Sequence, residues 1–234
     1  MTEHAAPKLT GLRTPRAAAA AGVLFAVLFG TSLTLIRTAL PEGAAPGSQW
    51  LIDGSVHLRV ASILMPFAGI TFLWFIGVVR DGFGRLEDKF FSTVFIGSGL
   101  LFLAMMFVVV GVGAGLQASS ALIVDPTVND EVATFGRAML LTISKTYALR
   151  MAAVFMISLA TIWLRTGLMP RWLVGATYAL AVVLMVASDI SMWMTMAFPI
   201  WVLVVSLLLL NRAGVIDLRH DDVKPAEAPT PDTA

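Results

Sequence analysis

The stretch "FSTVFIGSGLLFLAMMFVVVGVGAGL", residues 91–116, runs for 26 positions without a charged side chain. About 20 such residues, coiled as an α-helix, cross a hydrocarbon core of about 30 Å. Inside that core every peptide group must find its hydrogen bond within the segment, so the stretch reads as a spanning helix. Five further apolar stretches, at about 17–36, 60–79, 146–164, 172–188 and 194–210, have comparable length. The expected fold class is all-α: a polytopic membrane bundle of about six transmembrane helices.

Composition agrees. Of 234 residues, 58% are hydrophobic and 13% charged, with a mean hydropathy of +0.85; a water-soluble core of this size cannot hide that much apolar surface. The lipid bilayer is therefore the expected partner of most of the chain. A net charge of +1 offers no field for nucleic acid. The absence of cysteine excludes disulfides, thiolate metal centres, iron–sulfur clusters and cysteine nucleophiles.

The first apolar stretch follows Lys8, Arg13 and Arg16, as a signal peptide would. Its length and the lack of a clean cleavage site mark it instead as a retained membrane helix. The expected organisation is a cytoplasmic tail over 1–16, a transmembrane domain over 17–210, and a disordered cytoplasmic tail over 211–234 ending "KPAEAPTPDTA". With both termini in the cytoplasm of a multi-pass cell-membrane protein, Lys8, Arg13, Arg16, Arg80, Arg85, Lys89, Arg165, Arg171, Arg212, Arg219 and Lys224 all lie inside, satisfying the positive-inside rule. The outer loops, about 37–58 and 117–137, are too short for a folded extracytoplasmic domain. Gly22, Ala26 and Gly30 recur at every fourth position, as do Gly111 and Gly115. Such faces admit close helix approach, within one bundle or across the seam of a homodimer or larger membrane assembly.

Catalytic chemistry is poorly supplied. His4 and His220 lie in the polar tails, which leaves His57 without a second imidazole for haem or zinc. Ser98, within "GSG", has no candidate base but the distant His57. Met192, Met194 and Met196 are spaced so that at most two thioethers converge. No carboxylate occupies the middle of an apolar stretch, where proton-coupled carriers often need one. The expectation is a protein without catalytic residues, cofactor or metal.

One cluster stands out. In "SKTYALRM", residues 144–151, Lys145 falls at the outer interface, and Arg150 lies about 7 Å deeper at 1.5 Å per residue. Thr146, Arg150, Ala153 and Thr161 share a helix face flanked by Ser158 and interrupted by Val154 and Ile157. Phe155, Leu159, Ile162 and Trp163 lie mostly opposite; this bulky face is expected to meet lipid, which turns Arg150 into the bundle. Arg150 then needs a partner. Asp189, at the end of the fifth apolar stretch, is the intramolecular choice, with Tyr147 adding a hydrogen bond. Arg37, His57, Arg59 and Lys145 collect at the same level and exceed what Asp189 can neutralise, so an outward-facing anion site is the alternative. Pro66, just below, offers a kink that opens a crevice.

Two resemblances extend this reading. The linker "GVVRDGFGR", with Gly77, Asp81, Gly84 and Arg85, resembles the loop motif of major facilitator transporters, although Gly82 stands where that family carries a basic residue. The passages "TYALRMAAVFMISLATIWLRTGLMPRWLVGATYALAVVL" and "FPIWVLVVSLLLL" resemble uncharacterised polytopic integral membrane proteins of high-GC Gram-positive bacteria, which implies a topology and no reaction. The expected function is non-enzymatic binding of an anionic lipid or ligand at an outer basic pocket, as a free-standing protein or an accessory subunit. The alternative is a small transporter of organic anions or other small molecules.

Overall fold

A computed structural model describes residues 14–40, 47–81, 89–187 and 191–212. Both tails, Gly82, Gly84 and Arg85 of the linker motif, and Asp189 lie outside the described residues. Within them, all regular structure is helical: α1 (Thr14–Ala39), α2 (Gln49–Asp53), α3 (Ser55–Asp81), α4 (Lys89–Ser120), α5 (Pro126–Leu141), a π turn (Thr142–Ala148), α6 (Leu149–Thr166), α7 (Arg171–Ala187), a 3-10 turn (Met192–Met196) and α8 (Ala197–Arg212). Five helical stretches are long and apolar enough to span a membrane, the fourth being the continuous run Pro126–Thr166; α7, with 17 residues, is a shorter apolar helix. This is a multi-pass membrane bundle.

The helix ends follow local chemistry. Asp125 caps α5 by accepting from the Thr127 backbone N–H at 2.9 Å, and Pro126 occupies the first turn, where its missing donor costs nothing. Gly167 closes α6 in the left-handed conformation, φ 66°. α3 continues unbroken through Pro66, which lies on its exposed side. Hydroxyls inside the bundle bond back to their own helices, as Ser98 does to the Val94 carbonyl at 2.6 Å and Ser158 to the Val154 carbonyl at 2.8 Å.

α1 packs along α3 and α8, and α6 lies between α4 and α7. Aromatic rings fill the centre. Phe72 of α3 lies 4.5 Å from Phe25 of α1, 5.8 Å from Phe102 of α4, 5.4 Å from Phe155 of α6 and 5.9 Å from Phe198 of α8, measured between ring centroids. Glycines let the backbones approach them: Gly22 faces Ser206 and Phe75, and a Cβ on Gly99 would meet Phe155 at 3.0 Å. Gly30, Gly111 and Gly115 have no such neighbour.

Two expectations are corrected. Residues 117–137 do not form a loop: α4 runs to Ser120, and α5 begins at Pro126. At 1.5 Å per residue, α4 is about 48 Å long and the run from Pro126 to Thr166 about 61 Å, both well beyond a hydrocarbon core of about 30 Å. The end of α4 and α5 form a helical hairpin, held to the first residue of α3 by Gln117 in the last turn of α4, whose side-chain amide donates to the Ser55 carbonyl at 2.8 Å.

The bulky face of α6 does not meet lipid. Phe155 and Leu159 are 0% exposed and Ile162 and Trp163 2%, so the bulky face enters the core. The half-buried positions of α6 are Arg150, Met151, Val154, Ile157, Thr161 and Thr166, while Ala153 and Ser158, beside the polar stripe, are buried as well. Hydropathy cannot assign the faces of such a helix, because lipid is as apolar as a protein interior and packing decides which residues turn inward.

The π turn has a geometric purpose. Gly136, Leu140, Ser144, Ala148 and Ala152 are all buried, at every fourth residue, on the run that packs along α4. In an uninterrupted α-helix, 16 residues at about 100° each leave the last of them about 160° off the first. The i→i+5 turn advances less per residue and brings both ends back towards α4. Gly136 sits directly against the Leu116 side chain, with no room for a methyl group.

Deleting Thr142, an exposed residue of the π turn, reduces the mismatch to about 60° once the turn becomes α-helical, so this variant is expected to fold with a modest drop in melting temperature. Deleting Ala153 from α6 rotates the core face and abolishes the thermal transition. Comparable melting of the two deletions in detergent would refute this account. Gly113→Ala, whose Cβ would meet Leu58 at 3.9 Å, is expected to stabilise by up to about 1 kcal/mol. Gly136→Ala should destabilise, and both shifts are read in the same melts.

Candidate functional site

The site is built at the end of the bundle where α1 stops and α3 and α8 begin. Arg37, in the last turn of α1, is 5% exposed and donates from Nη2 to the Thr195 hydroxyl oxygen at 3.1 Å; Thr195 is itself 4% exposed. Arg37 thereby ties α1 to the 3-10 turn that opens α8. Ser191 begins that turn, its hydroxyl accepting from the Trp193 backbone N–H at 3.2 Å. The 3-10 turn also packs against the π turn. Three segments distant in sequence therefore meet here.

Lys145 lies in the middle of the π turn and is half-buried, as is Thr146. Arg150 follows in the first turn of α6, and its Nη1 donates to the Thr146 carbonyl at 3.2 Å. This bond folds the guanidinium back along its own helix. Tyr147 projects from the π turn, 56% exposed.

The structure thus brings Arg37, Lys145 and Arg150 to elements that touch one another. His57 and Arg59 are placed differently. Both are exposed in the first turns of α3, on either side of Leu58, which is 6% exposed and packs inward. They mark the same end of the bundle from its outer surface. The Asp189 pairing falls outside the described residues; in sequence, Asp189 follows the described end of α7 by two positions.

Sequence reasoning missed Thr195 as the partner of Arg37. It also missed the bond between the Thr161 and Tyr178 hydroxyls, 2.7 Å apart, which fastens α7 to α6. Tyr178 and Thr161 are ordinary residues in two apolar stretches, and no spacing rule connects them. Another feature without a sequence signal is a broad depression of ≈ 610 Å³ lined by Gly47, Pro126, Thr127, Asp130, Glu131, Thr134 and Phe135. Its wall is fixed by Asp130, which accepts from the Ser48 backbone N–H at 2.8 Å. It is acidic, whereas the meeting point around the 3-10 turn is basic.

Among the described residues, no group of three or more histidine, aspartate or glutamate side chains is arranged to hold a metal ion. Met194 and Met196 pack against the core. The fold and site together define a polytopic α-helical membrane protein with a cationic collar at one end. Comparison with protein-family models, curated proteins and solved structures gave no match to this chain.

Replacing Thr195 with valine removes the acceptor from a buried guanidinium and is expected to cost about 1–3 kcal/mol. Thr195→Ser, which keeps the hydroxyl, should recover most of that loss. Equal melting temperatures for the two variants would show that the Arg37 bond contributes little.

Proposed function

We propose that this protein binds an anionic ligand, a lipid headgroup or a soluble organic anion, at the collar formed by Arg37, Lys145 and Arg150, with Arg59 and His57 on its rim, and that it does so without catalysis. The observation that carries this reading is the convergence of α1, the π turn and the 3-10 turn, which brings Arg37 of α1 to the same end of the bundle as Lys145 and Arg150. Cations at a membrane interface attract anionic headgroups, and a planar guanidinium matches a phosphate or carboxylate in bidentate geometry. The positive-inside rule puts this collar on the outer side and both termini in the cytoplasm.

The centre of the bundle favours binding over transport. Phe25, Phe29, Phe72, Phe102, Phe155 and Phe198 are each at most 2% exposed and stack across the middle. A solute passing through one copy would have to part these rings. The collar suits a protein that holds its ligand at one face, alone or as an accessory part of a larger membrane assembly.

The reading is tested in phosphatidylcholine nanodiscs by adding either phosphatidylglycerol to the bilayer or glycerol phosphate to the buffer. At least one of them is expected to raise the melting temperature by several degrees, and Lys145→Gln to reduce that gain by half or more. Unchanged melting with both anions would refute collar binding. Uptake of labelled anion into proteoliposomes above the protein-free level would favour transport instead.

A further inference from the structure

α3 and α4 leave faces of opposite character outside the bundle. On α3, Val60, Phe67 and Trp74 recur at every seventh residue and are 39%, 56% and 64% exposed. On α4, Gly97, Ala104 and Gly111 recur at the same interval, and neither glycine has a neighbour within 4 Å of the point where a Cβ would stand. Leu100 and Phe107 rise on one side of these small residues and Leu101 and Val108 on the other, all four exposed. The outer face of α3 is therefore a bulky ridge, and that of α4 is a groove with two walls.

Ridge and groove are also level with each other. The two helices are antiparallel neighbours, and their contacts fix the register: Gln117 bonds to the Ser55 carbonyl, a Cβ on Gly113 would meet Leu58 at 3.9 Å, and one on Gly69 would meet Leu103 at 3.2 Å. Moving two residues on from the Leu58–Gly113 pair puts Val60 level with Gly111. Steps of seven then put Phe67 level with Ala104 and Trp74 level with Gly97. Nearer the Ser55 end, Val56 and Gly115, both exposed, are level in the same way. Each of these levels sets a bulky residue of α3 beside a glycine or alanine of α4.

Within one chain the two faces point away from the core and do not meet. A two-fold axis along the membrane normal brings them together: it keeps both copies upright, sets α3 of each copy antiparallel to α4 of the other, and leaves every level unchanged. The register fixed inside one chain is then the register between two. Acyl chains fill a groove of any spacing and give no reason for knobs at matching levels, whereas a second copy has them by symmetry.

We propose that this protein forms a two-fold symmetric dimer in the membrane, in which Val60, Phe67 and Trp74 of each copy enter the α4 groove of the other over Gly111, Ala104 and Gly97. The dimer is independent of the anion-binding reading. A seven-residue period on both helices fits the left-handed crossing of most membrane helix pairs, and small residues let the backbones close to the distance at which dispersion drives association. Phe and Trp bury about 150–250 Å² each when fully enclosed. More than half of Phe67 and of Trp74 is open in each copy, so the two seams together bury on the order of 1,000 Å² counting both partners, the scale of a specific interface.

The chain has no cysteine, so introduced thiols report one contact each. Two differently tagged copies are co-expressed, one with Phe67→Cys and the other with Ala104→Cys, and oxidised in native membranes. A disulfide-linked dimer of the two tags is expected, at least fivefold above the linkage of either variant expressed alone. Val60→Cys with Gly111→Cys is the second pair, used in case loss of the Phe67 ring weakens the contact. In parallel, photobleaching of labelled full-length protein in phosphatidylcholine vesicles counts the copies in each complex. Wild type is expected as dimers, and Ala104→Phe, which fills the groove from an outward face, as monomers of unchanged helix content.

Linkage of Phe67→Cys copies to one another as strong as to Ala104→Cys would set α3 against α3 and overturn the proposal. So would absence of linkage in both pairs, monomeric wild type at every protein-to-lipid ratio, or dimers that persist in Ala104→Phe.

Discussion

Helices in a bilayer gain almost nothing by hiding apolar surface from water, so their association depends on how well their side chains interlock. In this protein the interlocking is aromatic and centres on Phe72, whose ring meets Phe25, Phe102, Phe155 and Phe198 from four other helices. Offset and edge-on rings are each favourable by about 0.5–1.5 kcal/mol beyond the contact itself, and here they share members, so they act together. Small residues at Gly22 and Gly99 set the backbone distances that allow the rings to meet. Closure of the middle leaves the ends of the bundle as the places where chemistry can occur.

The π turn extends the same packing requirement along the longest helix. A straight α-helix cannot keep residues four apart on one side for four turns, and the run from Gly136 to Ala152 requires that spacing to stay against α4. Widening the helix over Thr142–Ala148 resolves the conflict. Lys145 lies in the widened turn, and Arg150 follows it and bonds back to Thr146. The cations of the collar are therefore placed by the device that holds α5 and α6 in phase with α4. π turns are frequent at functional sites, and this one carries Lys145 of the proposed collar.

The collar also separates cations that look alike in sequence. Arg37 is buried and works as a clasp between α1 and the 3-10 turn. Arg150 is half-buried, with its guanidinium bonded back along its own helix to the Thr146 carbonyl. Arg59 and His57 are exposed at the start of α3. Electrostatically they contribute to one positive end, but only some share a surface on which a single ligand can rest.

The sequence by itself determined that the chain is a helical membrane bundle, because uncharged runs of helix-spanning length admit no other structure in a medium without water. It also determined which cations share one end, since their distances from the helix ends set their depth. Tertiary structure decided the rest. It turned Phe155, Leu159, Ile162 and Trp163 inward, because hydropathy does not separate lipid from core and only ring packing chooses between them. It made a helical hairpin of residues 117–137, because Ala133, Gly136 and Leu140 find α4 to pack against. It joined Arg37 to Thr195 across 158 positions of chain, a pairing no local spacing encodes. Depth follows from counting along one helix, whereas facing and partnership follow from where the other helices stand.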